Sequence, residues 1–363
     1  MTASRASHGP LFGATARAAL GSPVYFDHER MATFDAVLLI SFGGPLGLDD
    51  IRPFLANVLR GRRIPPERVE EVAHHYELFD GVSPLTALTR QQASGLAQRL
   101  AAAGALLPVH IGMRNWHPYL ADTLAEMSRA GVRRAIGFIM AAQSSYSSCQ
   151  QYRENVLTAR HAIRDQGLAD IEITYVPGWH LHDGFLDANA GHVRAARSKL
   201  PAVLQPHARV IFTAHSIPTE MARCSQYVEQ LLASAREVAR RVDAADWALV
   251  YQSRSGRPQD PWLEPDICDY LRASKEDGLE AAVLCPIGFV CDHIEVLYDL
   301  DREAAQVARE IGLAMTRADA VNDDPRFIDM MADVVLSTLH RYATGRPLPL
   351  LHNPPPPAPK AES

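Results

Sequence analysis

A chain of 363 residues, 47% apolar and 21% charged, has the balance of a folded globular protein, and its formal net charge of −6 offers no positive field to draw it onto nucleic acid. The longest apolar runs, Ala36 to Ile40 and Ala281 to Cys285, fall far short of the ~20 residues that span a bilayer, so no transmembrane segment is expected. The five cysteines, Cys149, Cys224, Cys268, Cys285 and Cys291, contain no CxxC pair, which disfavours a disulfide framework or zinc ribbon and suits a reducing cytoplasm.

In chain order, residues 1–30 carry Arg5 and Arg17, no acid before Asp27 and no apolar core of a secretory signal. They are expected to be a disordered extension, or sequence upstream of a functional start at Met31, with a transit peptide as the weaker alternative. Beyond them, short apolar runs alternate with longer segments of helical period. The strand-like runs are Asp35 to Ser41, Pro108 to Met113, Arg134 to Ala141, Ile171 to Val176, Arg209 to Ala214, Trp247 to Gln252 and Ala281 to Pro286. The helical segments are Leu48 to Arg60, Ala87 to Ala103, Pro118 to Ala130, Gln150 to Asp165, Thr219 to Val242 and Ile294 to Ile311. Apolar strands separated by helices imply parallel sheets covered on both faces, a doubly wound α/β architecture. Four runs precede Pro177 and three follow it, so the expected units are 31–176 and 177–341, with a Pro-rich disordered tail at 342–363. No internal repeat is visible, although the halves could share a fold without one.

In such sheets the chemistry collects at the carboxyl ends of strands. The strand exits here are polar or Gly-rich: SFGGP, MRNWHP, QSSYSS, HSIP, QSRSG and PIGFVCDHIE. The last leads into DHIEVLYDLDRE, where Glu295, Asp299 and Glu303 recur every fourth residue and share a helix face. For an arbitrary helix this is a solvated acidic face. The alternative is a ladder of hard oxygen ligands that passes a divalent cation along, better aligned still if the helix widens into a π turn. His215 ends an apolar strand ahead of a helix-opening proline; it is either a hydrogen-bonded loop residue or an imidazole for iron and protons. The run Arg60-Gly61-Arg62-Arg63 fits a solvated helix end and a clamp for several carboxylates equally well. Neither GxGxxG nor GxxxxGK[ST] occurs, so a nucleotide cofactor is not expected, and the absence of GxSxG removes the simplest hydrolase reading.

Taken together, LLISFGGP at Leu38 to Pro45, RGR at Arg60 to Arg62, GVSPL at Gly81 to Leu85, MRNWHPY at Met113 to Tyr119, SSYSSCQQYREN at Ser144 to Asn155, FTAHSIP at Phe212 to Pro218, YQSRSG at Tyr251 to Gly256, WLEPDI at Trp262 to Ile267 and PIGFVCDHIEVLYDLD at Pro286 to Asp301 resemble ferrochelatases, most closely the bacterial coproporphyrin type. The resemblance runs in family order from about residue 34 to residue 340. It implies two Rossmann-like domains, each a four-stranded parallel sheet flanked by helices, with a porphyrin held between them. It makes His215 and Glu295 the catalytic pair, and also metal contacts together with Asp299 and Glu303. Tyr76, Ser83 and Tyr146 match positions that contact the porphyrin, with His75 beside them and Ser145 a weaker candidate. Arg60 and Arg62 are the expected carboxylate clamp. Phe42 stands where some relatives carry a tyrosine, so an axial oxygen is missing from that side. Some relatives bind an iron-sulfur cluster through one cysteine here and three near the C-terminus; only Cys149 is present, so no cluster is expected.

What the resemblance implies is insertion of Fe(II), the substrate metal, into coproporphyrin III, with protoporphyrin IX as the alternative porphyrin. A cobalt chelatase, which would carry a second histidine in the role of Glu295, and a non-catalytic haem-binding protein are the rivals. A monomer in the cytoplasm is expected.

Overall fold

A computed structural model describes residues 34–61, 65–255 and 259–343. The expected N-terminal extension, the Pro-rich tail and Arg62 lie outside the described residues.

The strands are β1 (Ala36–Ser41), β2 (Val109–Met113), β3 (Arg134–Ile139), β4 (Glu172–Tyr175), β5 (Arg209–His215), β6 (Trp247–Gln252), β7 (Ala281–Cys285) and β8 (Ala314–Arg317). They form two four-stranded sheets, ordered β2-β1-β3-β4 and β6-β5-β7-β8, with every pairing parallel. Two parallel four-stranded sheets of the same order, without a visible sequence repeat, are what the family resemblance implies, and the α/β alternation of the sequence agrees with them.

The helices are α1 (Ile51–Val58), α2 (Pro66–Glu77), α3 (Leu85–Ala102), α4 (Leu120–Arg129), α5 (Gln151–Asp165) and α6 (Asp183–Arg197). They continue with α7 (Thr219–Arg223), α8 (Tyr227–Arg241), α9 (Ile267–Glu276), α10 (Ile294–Tyr298), α11 (Ala305–Glu310) and α12 (Pro325–Ala343). Among the described residues, no helix is long and apolar enough to cross a membrane.

Alternation along β1 shows why both sheet faces must be covered. Val37 and Leu39 enter one apolar cluster, whereas Ala36, Leu38 and Ile40 enter another, and all five are fully buried. β5 behaves likewise, sending Val210, Phe212 and Ala214 to the first cluster and Ile211 to a third. The inner faces of both sheets therefore belong to one continuous core, completed by Phe185 of α6, Val238 of α8 and Phe327 of α12. Each fully buried large side chain contributes roughly 1.5–3 kcal/mol relative to exposure.

Two sequence expectations are corrected. The second half has a strand that the apolar runs do not reveal: β8, reading AMTR, is a sheet-edge strand with every residue half-buried, so it shows no apolar run. The segment Thr219 to Val242 is two helices. It breaks between Cys224 and Gln226, where the Ser225 hydroxyl donates to the Ala222 carbonyl and ends α7.

The exit of β7 approaches β5 so closely that only glycine fits. Gly288 N–H donates to the Thr213 carbonyl at 3.1 Å, and a Cβ on Gly288 would sit 2.6 Å from the Cβ and 2.8 Å from the Cα of Ala214. Gly288→Ala is therefore expected to cost about 1–3 kcal/mol through backbone displacement, read as a fall of several degrees in the thermal midpoint; an unchanged midpoint would contradict this packing.

Candidate functional site

β5 and β7 are the neighbouring central strands of the second sheet, and their onward connections leave to opposite sides. The crevice outside the carboxyl ends of such a pair is where doubly wound sheets hold ligands. His215, the last residue of β5, stands on one side of it. On the other, the chain leaves β7 through residues 286–293 and enters α10, whose second residue is Glu295.

His215 Nε2 lies 3.8 Å from Glu295 Oε2, and His293 Nε2 lies 3.7 Å from the same oxygen. Both separations exceed a hydrogen bond, so the carboxylate rests between two imidazoles without being locked to either. The Nδ1 of His215 bonds to the Ser216 carbonyl. A carbonyl only accepts, so Nδ1 carries the proton and Nε2 of the neutral ring keeps its lone pair towards Glu295. Strand position is fixed by the Tyr227 hydroxyl, which donates to the His215 carbonyl at 3.0 Å, and by the Ser216 hydroxyl, which donates to the Leu263 carbonyl at 2.8 Å.

The sequence reading missed His293. Helix periodicity places Glu295, Asp299 and Glu303 on one face and says nothing of a residue at the N-cap, where the chain is extended (φ −152°). Its position in the DHIE strand exit was the available signal. Burial pushes the His293 imidazole below its usual pKa, against the carboxylates of Glu295 and Asp292, so its neutral form is favoured.

The preceding residue anchors this segment. Asp292 accepts from Arg317 at 2.8 Å and from the Asn322 amide at 2.7 Å, while its own N–H donates to Asn322 at 2.8 Å. Arg317, with its side chain 11% exposed, also grips Asp301 through two bonds of 2.6 and 2.9 Å. A largely buried charge set with its partners in place is rigid, and removing one partner strands the rest.

Beyond Glu295 the helix widens. α10 passes into a π-helical segment, Asp299–Ala304, before α11 resumes, which is the widened turn that the acidic spacing favours. Burial pushes the Asp299 carboxyl up to about 7, with Glu295 and Glu303 adding to the rise and hydrogen bonds from Ser253 and Gln252 opposing it. Glu303, partly exposed and bonded by the Tyr298 hydroxyl, is raised by burial and by Asp266. Among the described residues no three His, Cys, Asp or Glu side chains gather into a metal cage. The carboxylates are strung along the helix instead, each a hard oxygen donor for a divalent cation.

The first half brings Tyr76 to the same place. It is buried in an apolar cluster with Phe54, Trp116 and Ile294 of α10, and its phenol is pushed well above the usual range by burial and then by Glu295 and Asp299. A phenol there stays protonated. Phe42 lies where three apolar clusters meet, packed edge-on against Phe54 with the Arg114 guanidinium 5.8 Å from its ring. His75 stacks on Tyr298 at 3.5 Å, joining α2 to the acidic helix and covering one face of its imidazole.

The remaining candidates lie in more local settings. Arg60 is exposed at the end of α1 and donates to Asn57 at 2.6 Å. Ser83 is buried against the β1 exit, its N–H donating to Pro45 at 2.9 Å. The Ser145 hydroxyl is committed to capping the π segment Tyr146–Gln150 through Ser148, and the Cys149 thiol meets the Ser145 carbonyl at 3.2 Å. Tyr146 is half-exposed, and its hydroxyl donates to Glu154 at 3.0 Å.

Comparison with known proteins identifies the family. Residues 34–339 match the family model described as Ferrochelatase. A ferrochelatase of Rhodopirellula baltica is 47% identical over 313 residues, covering 86% of this chain and 88% of that protein. The coproporphyrin III ferrochelatase of Streptomyces griseus is 46% identical over 335 residues, 88% of each chain, and that of Mycobacterium avium is 47% identical over 305 residues, 83% and 87% of the two. The solved structure of SirB from Bacillus subtilis with Fe3+ aligns with a TM-score of 0.50 over 85% of this chain and 97% of that one; at 10% identity it attests the fold alone. With the match spanning both sheets and the segment from His215 to Glu303, this chain belongs to the ferrochelatase family.

Proposed function

We propose that this enzyme inserts Fe(II) into coproporphyrin III, with His215 and Glu295 at the reacting centre. The observation that carries the reading is the Glu295 carboxylate suspended between two imidazoles at the crevice of the second sheet. Insertion exchanges two pyrrole N–H protons for one Fe2+, so the site must accept two protons beside a place for the cation. The lone pair on His215 Nε2 and the Glu295 carboxylate supply adjacent acceptors. His293, favoured in its neutral form, backs the carboxylate as a third acceptor.

The cation approaches from the outer end of the acidic helix, exchanging water for carboxylate at Glu303, Asp299 and then Glu295. Stacked like charges are costly without a cation, and that cost supports a metal path over a solvated face: Asp299 is half-buried and bears a carboxyl raised by burial. Tyr76, Phe42 and Tyr146 are taken as porphyrin contacts from the first half, and Arg60 as a propionate contact. The coproporphyrin assignment rests on this arginine and on the names of the relatives, since four propionates call for more cationic partners than two. Glu295, where a cobalt chelatase would carry histidine, favours iron over that reading.

In anaerobic absorbance assays with Fe(II) and free-base coproporphyrin III, His215→Ala is expected to lose at least ~100-fold in turnover while still binding porphyrin. Wild-type turnover in that variant would remove His215 from the mechanism, and a parent enzyme that binds porphyrin without converting it would leave a carrier. Turnover should favour coproporphyrin III over protoporphyrin IX; the reverse order would overturn the substrate assignment.

Asp299 also makes stability depend on pH. Its folded carboxyl titrates at about 7 against an ordinary 3.8, so the folded state holds the proton more tightly than the unfolded one. The penalty is absent below pH 4, grows as the pH rises to 7 and is complete above it, at most about 4 kcal/mol at 1.36 kcal/mol per pH unit. Asp299→Asn should therefore melt several degrees above the parent at pH 8, with the gain shrinking towards pH 5, while needing more iron for half-maximal rate. An equal gain at both pH values would contradict the burial argument, and an unchanged iron dependence would reduce the ladder to a solvated face.

A further inference from the structure

At the carboxyl end of β6, two consecutive residues reach one carboxylate oxygen. The Gln252 amide donates to Asp299 Oδ2 at 3.2 Å, and the Ser253 hydroxyl donates to the same atom. Side chains of consecutive residues in an extended strand point to opposite faces. Here they converge because Ser253 adopts a φ of 59°, a left-handed conformation that strains any residue but glycine, asparagine or aspartate. Gln252 is 1% exposed, and its amide also reaches the Glu295 carbonyl at 3.5 Å, yet its Oε1 finds no hydrogen-bond partner among the described residues. A buried acceptor left unmade and a strained backbone both oppose stability, and neither improves packing. What they achieve together is a fixed orientation for Asp299.

We propose that Gln252 and Ser253 are positioning residues that hold Oδ2 of Asp299, so that its other oxygen, Oδ1, is presented to the cation passing from Glu303 to Glu295. A carboxylate free to rotate would meet the cation in many orientations and would have to be ordered on each passage. The clamp removes that step before iron arrives. The two donors also tie the β6 exit to the π segment, so the ladder keeps its spacing from the β5 crevice. This inference rests on the ladder reading of Glu295, Asp299 and Glu303.

The test is steady-state iron insertion under anaerobic conditions, varying Fe(II) at saturating coproporphyrin III and then the reverse, with Ser253→Gly, Ser253→Asn and Asp299→Asn. Ser253→Gly keeps the left-handed turn and loses only the hydroxyl; it should raise KM for iron roughly three- to tenfold, with kcat and the porphyrin KM within about twofold. Ser253→Asn, which tolerates the turn and retains a donor, should recover part of the loss. The clamp is overturned if Ser253→Gly leaves the iron KM unchanged while Asp299→Asn raises it, a result that would leave the ladder standing. It is also overturned if kcat and melting temperature fall together with no selective effect on iron, which would mark a purely structural tie. If Asp299→Asn itself leaves the iron KM unchanged, the ladder reading fails and the clamp fails with it.

Discussion

A carboxylate taken out of water must be compensated, and the second half of this protein is organised around carboxylates compensated in two different ways. Asp292 has both oxygens hydrogen-bonded, one by Arg317, whose charge it shares with Asp301, and one by Asn322, and the segment that follows is held still. Glu295, three residues on, is left unbonded between two imidazoles, and Asp299 is held by neutral donors that do not cancel its charge. The first carboxylate is fixed by a cation and an amide, and the others, which no cationic side chain holds in an ion pair among the described residues, stay available to a proton or a metal ion.

The doubled sheet decides where this happens. Both halves use the same strand order, so each has a crevice between its two central strands. The second crevice carries His215 and the DHIE segment. The first is bordered by the β1 and β3 exits, SFGGP and QSSYSS, which set the rings of Phe42 and Tyr146 among Gly and Ser, with Tyr76 brought over from α2 to the acidic helix. One continuous core beneath the inner faces of both sheets fixes the two crevices relative to each other. Aromatic rings stand at the first crevice and titratable groups at the second.

Much of the fold was legible because parallel strands covered on both faces must be apolar through their centres, as β1, β3, β5 and β7 are, between polar ends such as Ser41, Arg134 and Arg209. Elements escaped where that logic fails. β8 is a half-buried edge strand, whereas α12 escaped without such a reason, since it packs Phe327, Met331 and Val335 into the shared core and leaves Asp329 and Asp333 on its outer face. The acidic helix was legible through its four-residue spacing, including the widened turn. Ser145 and Tyr146 stand out as a motif, yet the structure engages their hydroxyls in a cap and with Glu154 respectively, partners that spacing cannot reveal.

Residue type and local period were enough to name an imidazole, a carboxylate ladder and an α/β architecture, because those depend on contacts a few positions apart along the chain. Only tertiary structure could bring His215, Glu295 and His293 around one oxygen, or make Ser253 share a partner with Gln252, since these meetings depend on how β5, β6 and β7 lie beside one another. Burial made the same division: the sequence lists Asp299 among several acids, and it is chiefly burial, with Glu295 and Glu303 adding to it, that raises its carboxyl to about 7.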